Sequence, residues 1–380
     1  MSDTQRGIVL YLHVHQPWRV RNYTVFDTAN DHNYFYTDQP SLSNQAVLEK
    51  VADKSYRPMN ALLEKLLHTH PEFRVSLSIT GTFIEQAELW APDVLESFKR
   101  LVQTGRVEIV SETYYHTLAF FYSRDEFERQ VRDHTNKIQE LFGVTPRVFR
   151  NTELAYNDEL AKWADGAGYK GILAEGWDPV LGWRSPNYVY RPTGTETIRL
   201  LLKNYRLSDD LAFRFSNKAW QQWPLTADTF SEWATAALDD ATLINLFMDY
   251  ETFGEHQWAD TGIFDFFEDF VGKLAALRHQ RGQSIGLREL RYIDEQAVSE
   301  LEVKLAEASE RLGQRCIQFL LTAKSLDPYR LRIGEAQARI PQIATAAAGK
   351  AQQEALDKIG SDLELLIETV SQLKIDDLTK

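Results

Sequence analysis

Seven short, strongly apolar runs recur along the chain, and each breaks off into a polar or carboxylate-bearing tail. They are Gly7 to His13 (GIVLYLH), Arg74 to Thr80 (RVSLSIT), Arg106 to Glu112 (RVEIVSE), Arg147 to Glu153 (RVFRNTE), Tyr169 to Glu175 (YKGILAE), Ile198 to Tyr205 (IRLLLKNY) and Thr242 to Tyr250. Nearly continuous apolar runs of this length are typical of strands buried on both faces. Three are entered the same way: LVQTGRVEIV, ELFGVTPRVFR and WADGAGYKGIL each close a helical pattern on a glycine and begin a strand within a few residues. That is the αβ turn of a repeated β/α unit, with glycine in the left-handed position after the helix. Seven such strands point to a parallel (β/α) barrel or a doubly wound sheet. In both, the ligand sits at the carboxyl ends of the strands.

Helix signals fill the intervals. SRDE at Ser123 reads as a capping box opening a helix that runs to Leu141 and stops at Gly143, and Asn157 is a fitting N-cap for the next one. GIFDFFEDFVGKLAALRHQ, after Gly262, carries Phe266, Phe267, Phe270, Val271 and Leu274 at helical spacing. Beyond about Ile293 the composition changes: Glu295 to Ala323 and Ile340 to Leu373 are rich in Ala, Glu, Leu, Lys and Gln, with breaks near Pro328, Gly349 and Gly360. The expected division is a catalytic barrel over 1–290 and a helical region over 291–380. The second region is also where homo-oligomer contacts would form, although no strict heptad persists.

Net charge is −13 without a long basic cluster, so the phosphate-neutralising surface that nucleic acid requires is missing. Cys316 is the only cysteine, which excludes an internal disulfide and a thiolate zinc site. In MSDTQRGIVLYLHVHQP histidine interrupts the apolar run too early for a signal peptide, and no stretch reaches bilayer length. A cytoplasmic protein without membrane contact is expected. Nine tryptophans are enough for stacking platforms as well as core anchors.

The strand exits carry His13 and His15; Thr80 and Gly81; Glu112 with His116; Glu153; Glu175 with Trp177; Ser208, Asp209 and Asp210; and Asp249 with Glu251. The last, LINLFMDYETFGEHQW, crowds Asp249, Glu251, Glu255, His256 and Trp258 into one loop, and clustered acids repel and lose hydration. His13 and His15 share a face of an extended segment. They could ligate a metal with Asp249 or Asp209, hydrogen-bond a polar substrate or a carboxylate, or be satisfied by backbone carbonyls. Glu153 either points into the site or pairs with Arg150. Asp249 and Glu251 share a face if the strand continues through Tyr250. Three converging carboxylates suit glycosidic bond cleavage, in which one acts as general acid and another as nucleophile or base. Their repulsion is expected to keep one protonated near neutrality. No serine nucleophile elbow, phosphate-cradling loop or dinucleotide fingerprint is present, and no cofactor is implied.

With these residues in place the chain resembles glycoside hydrolase family 57, which contains α-amylases, 4-α-glucanotransferases and glycogen-branching enzymes. His13 to Pro17 (HVHQP), Gly105 to Val110 (GRVEIV) and Arg150 to Asn157 (RNTELAYN) are similar to its first three motif regions. Phe247 to Trp258 (FMDYETFGEHQW) is similar to the fourth as it occurs in the α-amylase branch. The resemblance implies an incomplete seven-stranded (β/α) barrel followed by helices, and a retaining enzyme on α-1,4-glucans or maltooligosaccharides. It places the nucleophile on Glu153 and the general acid/base on Asp249, with His13 and His15 contacting substrate without a metal. His116, Trp177, Asp210, Glu251, His256 and Trp258 are further candidate substrate or supporting contacts. A transferase or branching enzyme with the same site, a metal-dependent deacetylase and an inactive glucan-binding homologue are the alternatives.

Overall fold

The computed structural model of the protein describes residues 7–281, apart from 29, 37, 38, 40, 239, 240 and 242, together with 287 and 288. The expected helical region 291–380, with its oligomer contacts, lies outside the described residues. All seven expected strands form: β1 (Gly7–Val14), β2 (Val75–Ile79), β3 (Val107–Ile109), β4 (Val148–Arg150), β5 (Gly171–Ala174) and, after a two-residue strand β6 (Val189–Tyr190), β7 (Arg199–Leu202) and β8 (Leu243–Asp249). Helices α1 (Asn44–Val51), α2 (Arg57–Thr69), α3 (Gly81–Trp90), α4 (Pro92–Gln103), α5 (Arg124–Phe142), α6 (Asp158–Gly166), α7 (Asp178–Leu181), α8 (Tyr205–Asp209) and α9 (Ala227–Ala237) lie between them, and α10 (Ile263–Arg281) follows. A last short strand, β9 (Leu287–Arg288), pairs with Ile8 and Val9.

The helix ends obey the sequence signals. Ser123 accepts from the Glu126 N–H, but the Glu126 carboxylate turns to Arg129 and Gln130, so only one half of the capping box forms. Gly143 closes α5 in the left-handed conformation with φ 69°, and Asn157 caps α6 through the Leu160 N–H. None of the described helices is long and apolar enough to cross a membrane.

Strands β3, β2, β1 and β8 pair in that order, all parallel, and β4, β5 and β7 form a second parallel set. Ser111 joins the two sets, donating from its N–H to Val148 O and accepting from the Arg150 N–H, each at 2.8 Å. The remaining seam, between β7 and β8, is closed by asparagines. The Asn204 N–H donates to Asn245 O at 2.9 Å, the Asn245 amide donates to Leu202 O at 2.8 Å, and the Asn204 amide donates to Asn187 Oδ1 at 2.9 Å. Antiparallel β6 pairs with Leu200 and Leu201 of β7, and the Leu243 N–H donates to Asn187 O at 3.1 Å. Buried backbone groups need partners, and these contacts supply them where an eighth parallel strand is missing. The architecture is the incomplete (β/α)7 barrel.

Candidate active site

Strand pleating decides which side chains reach the carboxyl end of the barrel. On β1, Ile8, Leu10, Leu12 and Val14 join the core shared with the helices, while Val9 and Tyr11 pack inside the ring with Val110, Val148, Leu173 and Phe247. Counting on by two, the next inward residues are His13 on β1, Asp249 on β8, Arg150 on β4 and Glu112 beyond β3. His13 and Asp249 are also register partners across the β1–β8 ladder. A buried, mainly apolar layer thus lies beneath a layer of charge.

His13 Nε2 is 3.2 Å from Glu112 Oε2, and its Nδ1 faces Asp249 Oδ1 at 3.7 Å. The same Glu112 oxygen is 3.3 Å from His116 Nδ1, and His116 Nε2 meets Glu153 Oε1 at 3.1 Å. Glu153 and Asp249 are therefore the two ends of one chain of contacts running through His116, Glu112 and His13. The end side chains are 76% and 58% exposed, whereas that of Glu112 is wholly buried. Arg150 Nη1 lies 3.6 Å from Glu112 Oε2 and 3.3 Å from both His13 Nε2 and His116 Nδ1. The ring of His13 stacks against His116 with centroids 4.8 Å apart, and that of His15 lies tilted to His116 at 4.2 Å.

The electrostatics follow from this packing. Burial opposes the charge on Glu112, but His13, His116 and Arg150 outweigh it and hold the carboxyl well below its ordinary range. Burial and Arg150 oppose an imidazolium at His13, yet Glu112 and Asp249 prevail and its pKa is raised. Its two ring nitrogens face one carboxylate each, Glu112 at hydrogen-bond distance and Asp249 beyond it. Burial alone would raise Asp249; the nearby His13, with the charges of Arg150 and His256, brings it down to about 2. His15 is pushed down to about 3 by burial and by His116 and His13, so it stays neutral. Its Nδ1 lies 3.1 Å from Thr80 Oγ1 and 3.4 Å from Thr82 Oγ1.

Glu251 departs from the expected shared face. The strand stops at Asp249 and a 3₁₀ turn over Tyr250–Thr252 swings Glu251 into the interior, where it accepts a hydrogen bond from Tyr56. Tyr56 comes from the π-helical stretch Ala52–Tyr56 between α1 and α2. Burial and the charge of Asp249 push Glu251 up to about 7, so the carboxyl kept protonated near neutrality is Glu251 and not Asp249. His256 and Trp258 are exposed, and the Lys54 ammonium lies 5.1 Å from the Trp258 ring centroid. Asp210 is engaged at 2.6 Å by Arg214 on its own turn. Trp177, three residues past β5, is exposed on the rim. The strand-exit rule reaches Glu112 without giving it a role, and nothing local in the sequence marks Arg150 or Tyr56 as members of the cluster.

One ligand atom each from His13, Glu112 and His116 lie within 4.8 Å of one another, a spacing that could hold a metal ion. Arg150 stands against all three of these atoms, so a permanent cation already balances the buried carboxylate. His13, His15 and an aspartate do not form such a group among the described residues.

Residues 9–296 match the family model described as Glycosyl hydrolase family 57, and the chain belongs to that family. Residues 324–380 match a domain of unknown function. A Methanocaldococcus jannaschii protein provisionally named an α-amylase is 44% identical over 274 residues, which is 72% of this chain and 57% of that one. The chain thus spans little more than half the length of that relative. The solved 4-α-glucanotransferase from Thermococcus litoralis gives a TM-score of 0.57 at 19% identity, covering 86% of this chain and 48% of that one. A family 57 branching enzyme from Thermococcus kodakaraensis, solved with glucose, gives 0.53 at 12% identity, covering 93% and 88%. At these identities the two structures establish the shared fold.

Proposed function

We propose that the chain is a retaining glycoside hydrolase of the α-amylase type, acting on α-1,4-glucans or maltooligosaccharides with Glu153 as nucleophile and Asp249 as acid/base. The observation that carries this reading is the chain of contacts that ends on those two carboxylates and on no other open acid. Glu153 attacks the anomeric carbon as the glycosidic oxygen leaves with a proton, and a glycosyl ester forms. Asp249 is ionised in the free site, so the proton it delivers comes from His13, whose Nδ1–H faces it. The two atoms stand 3.7 Å apart, and transfer between them requires that they close to hydrogen-bond distance. In the second step Asp249 takes a proton from water and His13 recovers it. Neutral His15 offers Nε2 to a sugar hydroxyl, and His116 orients Glu153. Trp177, His256 and Trp258 are placed to contact flanking sugars, while Asp210 and Glu251 support the loops behind them.

A sugar hydroxyl in place of water would make the same site a 4-α-glucanotransferase, the activity named for the Thermococcus litoralis relative that is 25% identical over 153 residues. Chromatography of maltoheptaose products separates the two, because only transfer gives chains longer than the substrate. Reducing-end release that survives in both Glu153→Gln and Asp249→Asn would sink the assignment of residues. No turnover by the wild type on any maltooligosaccharide would leave a glucan-binding homologue.

A further inference from the structure

Three non-glycine residues among those described have positive φ: His116 at 54°, Glu153 at 55° and Leu154 at 54°. Side chains tolerate this conformation poorly, and it persists only where the surroundings over-determine it. Two of the three, His116 and Glu153, meet at 3.1 Å between their side chains. They sit on separate loops, after β3 and after β4, beyond the strand ladders. Something other than backbone pairing has to hold the loops in phase.

Buried threonines tie them together. Thr152 Oγ1 donates to Thr117 O at 2.9 Å, crossing from the Glu153 loop to the His116 loop. Thr113 Oγ1 lies 3.1 Å from Thr152 Oγ1 and accepts from the Thr117 N–H at 2.9 Å. Thr113 Oγ1 also lies 3.3 Å from Thr117 O, so with the Thr152 hydroxyl donating to that carbonyl the Thr113 hydrogen is shared between the carbonyl and Thr152 Oγ1. Gln130 on α5 secures the outer side, its Oε1 accepting from the Tyr115 N–H at 3.2 Å and from Thr117 Oγ1 at 3.0 Å. Thr113 and Thr152 are 0% and 4% exposed, so they act from beneath the open face of the site.

We propose that Thr152 and Thr113 are positioning residues, a hydroxyl clasp that holds the two left-handed residues so that His116 aims Glu153 at the reacting carbon. This rests on the assignment of Glu153 as nucleophile. Loss of the clasp lets the loops relax and the carboxylate drift, and a displacement of about 1 Å can lower turnover by about 100-fold. Sugar contacts on the other strand exits are untouched.

Steady-state kinetics on maltoheptaose are compared for wild type, Thr152→Val, Thr113→Val, Thr152→Ser and Glu153→Gln, with circular dichroism confirming folding. Each valine variant, isosteric and without the hydroxyl, should lose about 10- to 100-fold in kcat with KM within about twofold. Thr152→Ser should recover most of that loss. Wild-type kcat in Thr152→Val, a loss carried in KM, or a serine variant as impaired as the valine would overturn the clasp. If Thr152→Val does not fold, Thr113→Val, which removes the partner on the other side of the same oxygen, decides by the same split. Glu153→Gln inactive beside a fully active Thr152→Val strikes the clasp alone. An active Glu153→Gln strikes the nucleophile assignment and the clasp's purpose with it.

Discussion

Glu251→Gln offers a direct measure of the buried charge layer. Glu251 lies in the interior beyond β8, accepts from Tyr56, and is raised from 4.5 to about 7 by burial and by the charge of Asp249. Between those two pH values the folded chain keeps a proton that the unfolded chain has released. Stability from this group is therefore fully present below about 4.5 and is lost as pH rises through 7. At about 1.4 kcal/mol for each tenfold change in proton affinity, the interval amounts to about 3 kcal/mol. Glutamine keeps the acceptor for Tyr56 but cannot ionise. Any fixed cost of its amide is the same at both ends of the range and cancels in the comparison. Urea unfolding followed by tryptophan fluorescence at pH 4 and at pH 8 should show the variant gaining on the wild type by about 3 kcal/mol across that range. A gap between the two proteins that does not change with pH would refute the burial and repulsion argument for Glu251.

The same charge layer yields other expected outcomes. Arg150→Met removes the guanidinium 3.6 Å from wholly buried Glu112 and should cost about 3–5 kcal/mol in urea unfolding, the range for breaking a buried pair. Adding Glu112→Gln should restore much of it; full stability of the single variant would argue against the pairing. A crystal structure with a maltooligosaccharide should place the Glu153 and Asp249 carboxyl groups about 5–5.5 Å apart, and a separation beyond about 6.5 Å would point to inversion. Purified protein should carry no stoichiometric divalent metal and keep its activity in a chelator, since Arg150 already supplies the cation beside His13, Glu112 and His116. Activity lost to EDTA and restored by zinc would reverse that conclusion.

The sequence was most readable where a rule acts locally. Strands buried on both faces announce themselves as apolar runs, and Gly143 and Asn157 mark helix ends because only their immediate neighbours matter. The asparagine seam was hidden because β6 is two residues long and its partners come from three separate segments. The shared face of Asp249 and Glu251 depended on the strand continuing through Tyr250, and period-two alternation ends with the strand at Asp249. Whether Glu153 would pair with Arg150, three residues back, was open from the sequence; pleating carries Arg150 inward to Glu112 while the left-handed turn leaves Glu153 exposed. Tyr56 lies 195 residues from Glu251 in sequence, and no local pattern can connect them.

The two open carboxylates are held in place by different physics. Asp249 ends a seven-residue strand and is paired in register with His13, so backbone hydrogen bonds on β1 and β8 set its distance from the imidazole behind it. Glu153 lies beyond the three-residue strand β4, in a left-handed turn with no ladder of its own, and depends on His116 and the threonine hydroxyls. With Asp249 in its proposed role as acid/base, the register pairing keeps it in line with the imidazole that supplies its proton. With Glu153 in its proposed role as nucleophile, its aim at one carbon comes from side-chain hydrogen bonds alone and is lost when they are lost. Perturbing the β1–β8 ladder should therefore disturb proton delivery first. Perturbing the loops after β3 and β4 should disturb formation of the covalent intermediate first.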